Sequence, residues 1–155
     1  MAAAKGFTRR MNDTGETGGH GCVGKTDEPR ARVLIIDDEE LLARALGRAL
    51  SPQCDYVICS RARSALELLA RGLRFDLILC DLAMPEMTGM DLHEELVKIA
   101  PEVAARMVFM TGGATAMRAQ TFLERVPNER LEKPFQTQHV LALIEQRARR
   151  RAAAG

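Results

Sequence analysis

No hydrophobic run in this sequence is long enough to span a membrane. The N-terminus, MAAAKGFTRRMNDTGETGG, carries charge but no apolar stretch behind it, so it does not read as a secretory signal. Cysteine is scarce: Cys22, Cys54, Cys59 and Cys80 form no CxxC pair, and His20, His93 and His139 are scattered. That spacing excludes an ordinary zinc site or disulfide framework and points to reduced, partly buried thiols in the cytoplasm. Net charge is nearly absent, +1 at neutral pH, so whole-chain electrostatics favour neither nucleic acid nor a membrane surface. The residues after Lys133 suffice for one last helix, so no helix-turn-helix or catalytic output module is expected there.

What is present is an ordinary soluble composition, 46% hydrophobic and 28% charged, in a chain of 155 residues, enough for one domain with a real core. Abundant Arg and Ala suggest a GC-rich bacterial genome. Residues 1–30 are polar and Gly-rich without apolar period and read as a disordered tail; order is expected over 31–150, with 151–155 as a C-terminal tail. Val33-Leu34-Ile35-Ile36 is a continuous apolar run of strand length, as in a strand buried on both faces. Leu42, Leu46 and Leu50 then recur four apart, giving a helix with one apolar face. The alternation repeats. Tyr56 to Cys59, Phe75 to Cys80, Arg106 to Met110 and Arg130 to Glu132 read as strands. Each is followed by a helical segment, the last from about Gln136 to Arg149. Five strands alternating with five helices predict an α/β fold, a parallel sheet with helices on both faces. The segment from Thr115 to Val126 has few large apolar residues (Met117, Phe122, Leu123), which predicts a loosely held helix.

The stretch GGHGCVGKT, Gly18 to Thr26, matches the phosphate-binding P-loop pattern GxxxxGKT. A working P-loop needs a buried strand before it and a helix after it. Here NDTGETG precedes it, and Pro29 disrupts a helix that should begin at Lys25. We read the match as a chance feature of the tail, and an NTPase as a weaker alternative. The basic end, RARRRAAAG, fits cations at a helix C-terminus.

In parallel α/β sheets, sites form beyond the carboxyl ends of the strands. Here those ends carry Asp37-Asp38, Asp81, Thr111 and Lys133-Pro134. Each has a plain structural role open to it: helix cap, turn residue, turn hydroxyl, surface cation. Together they suggest more. Three carboxylates at one place repel unless a cation intervenes, and an all-oxygen set suits Mg²⁺. A lysine and a hydroxyl nearby can hold phosphoryl oxygens, and a carboxylate can itself become an aspartyl phosphate.

The motifs VLIIDDEE, LILCDLAMPEMTGMDL, VFMTGG and LEKPF, in that order from Arg32 to Arg149, resemble the receiver domain of two-component response regulators, stand-alone or as found with hybrid histidine kinases. The resemblance implies a flavodoxin-like, doubly wound five-stranded sheet of order 2-1-3-4-5. It implies that Asp81 accepts a phosphoryl group from a histidine kinase or phosphotransfer protein. Asp38, Asp81 and the backbone carbonyl of Ala83 would hold Mg²⁺, with Asp37 acting through water. Thr111 and Lys133 would contact the phosphoryl oxygens, and a shift behind Thr111 would alter a two-state surface that binds a partner protein. On this reading the chain is a signalling domain, no enzyme beyond self-phosphorylation and autodephosphorylation. Some members of that family dimerise on phosphorylation; no residue here commits to it, and the downstream target is not readable. A non-phosphorylated scaffold acting by contact alone is the alternative.

The sequence departs from that pattern in two places. Many members carry an aromatic switch residue three before the lysine, where this chain has Arg130. Ala83 and Gly113 are small where a side chain would orient or block a hydrolytic water, which predicts an accessible phosphoryl site.

Overall fold

The computed structural model describes residues 29–113 and 116–155. The P-loop match, Cys22 and nearly all of the expected tail therefore lie outside the described residues.

The strands are β1 (Ala31–Ile36), β2 (Cys54–Cys59), β3 (Leu77–Asp81), β4 (Met107–Thr111) and β5 (Arg130–Glu132). They form one parallel sheet of order β2-β1-β3-β4-β5. The helices are α1 (Glu40–Leu50), α2 (Ala62–Ala70), α3 (Gly89–Ile99), α4 (Pro101–Ala104), α5 (Met117–Arg125) and α6 (Thr137–Ala154). The doubly wound, flavodoxin-like architecture expected from the sequence is the one observed.

Strand parity sorts the core into two layers. Val33 and Ile35, Leu77 and Leu79, Val108 and Met110 face α1 and α6, meeting Ala43, Leu50, Val140 and Ile144. Leu34 and Ile36, Ile78 and Cys80, Met107 and Phe109 face the other way, meeting α2 and α3 through Ala65, Leu69, Leu92 and Leu96. Every residue of β3 and β4 is buried, which is why these strands read as unbroken apolar runs. On α1, a Cβ at Gly47 would collide with the ring of Tyr56, so this glycine lets the helix lie close on β2.

Several element bounds shift by one or two residues from the sequence expectation, and three differences have a clear physical cause. Among the described residues there are six helices rather than five, because Pro101 at the first helical position starts a separate turn after α3 ends at Ile99, with Ala100 as its C-cap. β3 begins at Leu77 rather than Phe75: Asp76 exchanges bonds with Arg32 through both main chain and carboxylate (2.8 Å each), closing the ladder there. α6 runs to Ala154, past the Arg149 end and into 151–155. The side chain of Arg151 anchors it to Asp76 (2.8 Å) and to the carbonyl of Pro29 (2.6 Å). That tether joins distant segments, so periodicity alone does not show it. No helix among the described residues is long and apolar enough to cross a membrane.

Candidate functional site

Register brings the strand ends level. Ile36 lies opposite Cys80, Asp81 opposite Met110, and Thr111 opposite Glu132. The residues that leave these strands, Asp37, Asp81, Thr111 and Lys133, therefore gather at one edge. Asp37, Asp81 and Thr111 are 3%, 6% and 5% exposed, unusual for two carboxylates unless they are paired.

Lys133 supplies the pairing. Its Nζ donates to Asp37 Oδ2 at 2.9 Å and reaches Asp81 Oδ2 at 3.5 Å. Its backbone N–H donates to the carbonyl of Thr111 at 2.7 Å, which fixes where the side chain starts. The remaining oxygens are held locally. Asp37 Oδ1 accepts the N–H of Glu39 at 2.9 Å, so Asp37 shapes the turn into α1 as well as binding Lys133. Asp81 Oδ1 accepts the N–H of Ala83 at 3.2 Å. Asp38 is solvent-exposed, and Asp37, Asp38 and Asp81 each offer a carboxylate oxygen within 4.8 Å of the others.

The electrostatics follow. Burial pushes the Asp81 carboxyl above its ordinary value. The Lys133 charge and the Ala83 N–H pull it down, Asp37 adds a further upward push, and the balance is upward. Burial alone would lower the Lys133 ammonium, but its bond to Asp37 and the charges of both aspartates outweigh that and raise it. Lys133 is therefore firmly charged and Asp81 is the more basic for its surroundings. Three carboxylates against one ammonium leave two negative charges at the mouth of the site. That excess, carried on oxygen donors only, fits a divalent hard cation.

The loop from Asp81 to α3 is tightly seated. Gly89 N–H donates to the carbonyl of Leu82 at 3.2 Å, and a Cβ at Gly89 would collide with the main-chain oxygen of Asp81. Thr88 and Asp91 then form a reciprocal capping box, at 3.1 and 3.0 Å, which starts α3. Asp91 also accepts from Arg118 on α5 at 3.0 Å. The sequence reading passed over this pair: the Thr-x-x-Asp spacing signals the cap, but nothing local signals Arg118. Arg130, expected at the switch position, is exposed on β5 opposite Phe109. A ring cluster sits elsewhere: His93, Phe109 and Phe122 meet edge to face with centroids 5.2 to 5.6 Å apart.

Residues 33–145 match the family described as the response regulator receiver domain. The chain belongs to that family. It is 30% identical over 115 residues to the DNA-binding transcriptional regulator NtrC of Azospirillum brasilense, covering 74% of this chain and 24% of that protein. It is 31% identical over 121 residues to the aerobic respiration control sensor protein ArcB of Escherichia coli K12, covering 76% of this chain and 15% of that one. It thus spans a quarter or less of these curated relatives. Among solved structures it resembles a response regulator receiver protein from Pseudomonas putida (TM-score 0.67, 24% identity, 76% of this chain and 98% of that one). It also resembles a CheY-like receiver domain protein from Methanospirillum hungatei (TM-score 0.69, 22% identity, 82% and 100%). At those identities the structural likeness speaks for the fold alone.

Proposed function

We propose that this chain is a phospho-accepting receiver, taking a phosphoryl group from a phosphohistidine of a histidine kinase or phosphotransfer protein onto Asp81. The observation that carries the proposal is the buried Asp37–Lys133–Asp81 contact with Asp38 at its mouth. An Asp81 carboxylate oxygen forms a bond to phosphorus while the P–N bond breaks, and its electron pair returns to the imidazole of the donor. Lys133, pinned beside Asp81, holds a phosphoryl oxygen. The Thr111 hydroxyl holds another, and its strand carries the pull outward. Asp38, Asp81 and the Ala83 carbonyl are the residues to hold Mg²⁺, with Asp37 behind them through water. Such an ion, when bound, neutralises charge on the transferring group. Signal output is then contact with a partner protein, the new dianion biasing a two-state surface. The buried thiols of Cys54, Cys59 and Cys80 suit a reducing compartment, and we assign the chain to the cytoplasm.

The test is intact-protein mass after incubation with acetyl phosphate, with and without Mg²⁺, for wild type and Asp81→Asn. Gain of one phosphoryl group that needs both Mg²⁺ and Asp81 is expected. No gain in folded wild type, with acetyl phosphate and with a histidine kinase panel, sinks the proposal in favour of a scaffold acting by contact alone.

A further inference from the structure

Helix α5 follows Thr111 by a short connection that includes Gly112 and Gly113, where an added Cβ would meet nothing within 4 Å. The helix is attached lightly. Ala119 is its one buried residue, Phe122 and Leu123 are partly buried against the core, and Met117 is 82% exposed. An open groove separates it from α3, lined by Met90, His93, Val97, Met117 and Phe122. At the N-terminal end of that groove, Arg118 bridges the two helices by pairing with Asp91.

Asp91 is not an ordinary surface acid. Its Oδ2 accepts the N–H of Thr88 and its own N–H donates to the Thr88 hydroxyl, so it fixes the first turn of α3. The Thr88 N–H, and then Arg118, hold its carboxyl below the usual range. One residue before Met90, Gly89 is wedged against the main-chain oxygen of Asp81. The capped start of α3 thus lies directly against the backbone of Asp81, and Arg118 ties α5 to it. The other route that the family resemblance implies, an inward-swinging aromatic on β5, has Arg130 in its place.

We propose that the Arg118–Asp91 pair is a latch that holds α5 against the capped start of α3 in the unphosphorylated chain, and that phosphorylation releases it. This rests on the reading of Asp81 as phospho-acceptor. Phosphorylation draws Thr111 at the root of α5 while loading the loop that carries Asp91, so the two ends of the pair are moved by different parts of one event. The latch is weak by construction. Arg118 is 66% exposed and Asp91 34%, where ion pairs contribute little, and a contact that one phosphoryl group must break cannot be a strong one.

Hydrogen exchange of the α5 amides in the full chain tests it, with α6 amides as the internal control for folding. Before phosphorylation, Arg118→Gln is expected to speed exchange across α5 by about two- to fivefold. Asp91→Asn, which keeps an oxygen for the Thr88 N–H, should do the same, and Arg118→Lys should restore most of the protection. After acetyl phosphate and Mg²⁺, wild type and Arg118→Gln should converge, since the latch is open in both. Unchanged α5 exchange in both Arg118→Gln and Asp91→Asn overturns the latch. A difference that survives phosphorylation in full overturns its coupling to the signal and leaves a plain helix–helix tie. Intact mass of the same samples separates the two readings. Absence of a phosphoryl group on wild type removes the signal half, while the unphosphorylated comparison still decides whether the pair holds α5.

Discussion

Helices α5 and α6 follow the two strands that deliver Thr111 and Lys133, yet they are held very differently. Helix α6 buries Val140 and Ile144, pairs Arg147 with Glu129 at 3.3 Å, and is tethered by Arg151 to Asp76 and Pro29. Helix α5 buries Ala119 alone and leans on the core through Phe122 and Leu123. The difference assigns roles. A cation that must stay beside two buried carboxylates is backed by a fixed helix. On the proposed function, the strand that would report phosphorylation through the Thr111 hydroxyl is followed by the more lightly packed helix. Low local stability is where switching elements are drawn from.

The comparison is sharpest in packing. Ile144→Ala in α6 should destabilise the chain by about 2–4 kcal/mol, because it empties a closed layer. Leu123→Ala in α5 should cost roughly 1 kcal/mol, since the site is half open already. Urea denaturation midpoints read both, and equal losses would break the contrast.

The strand ends themselves come next. Lys133→Ala leaves Asp37 and Asp81 without their cation and should cost about 2 kcal/mol. Asp81→Asn in the same background should recover part of that, because removing one carboxylate removes the repulsion. Thr111→Val, by contrast, should change stability by less than about 1 kcal/mol. Thermal melts of the four proteins check this.

A smaller effect is expected with pH. Burial lowers the His93 imidazole below its ordinary 6.5, against the opposing bond from Asn128 and the charge of Glu94. The unfolded chain then takes up the proton first. Stability should fall as the pH drops through 6.5 and level off below the folded value. His93→Phe, which keeps the edge-to-face packing on Phe109 and Phe122, should flatten that part of the profile. An unchanged slope would assign the titration to another group. Smallest is the chemistry at the rim. Ala83 and Gly113 are exposed, so Ala83→Arg or Gly113→Arg should slow loss of the phosphoryl group severalfold by screening it from water. Decay followed by intact mass tests this, and unchanged decay counts against an accessible site.

Much of this was legible in the sequence because each signal was local. The unbroken apolar run Val33 to Ile36 marks a strand buried on both faces, and charged or hydroxyl residues directly after apolar runs mark the edge of the sheet where the candidate site lies. The poverty of apolar residues in Thr115–Val126 already marked α5 as lightly held. What escaped depends on residues far apart in the chain. Arg151 on Asp76 lengthens α6, Asp76 on Arg32 shortens β3, and Arg118 on Asp91 joins two helices. Nor does spacing show that Lys133 lies nearer Asp37 than Asp81, at 2.9 against 3.5 Å. That depends on the depth at which strands β1 and β5 end.

The most direct measurement is amide hydrogen exchange of wild type before and after acetyl phosphate and Mg²⁺, with Asp81→Asn as control and α5 and α6 compared in the same spectra. Faster exchange in α5, little change in α6, and neither effect in Asp81→Asn are expected. Phosphorylated protein in which α6 loosens while α5 stays unchanged would contradict that expectation.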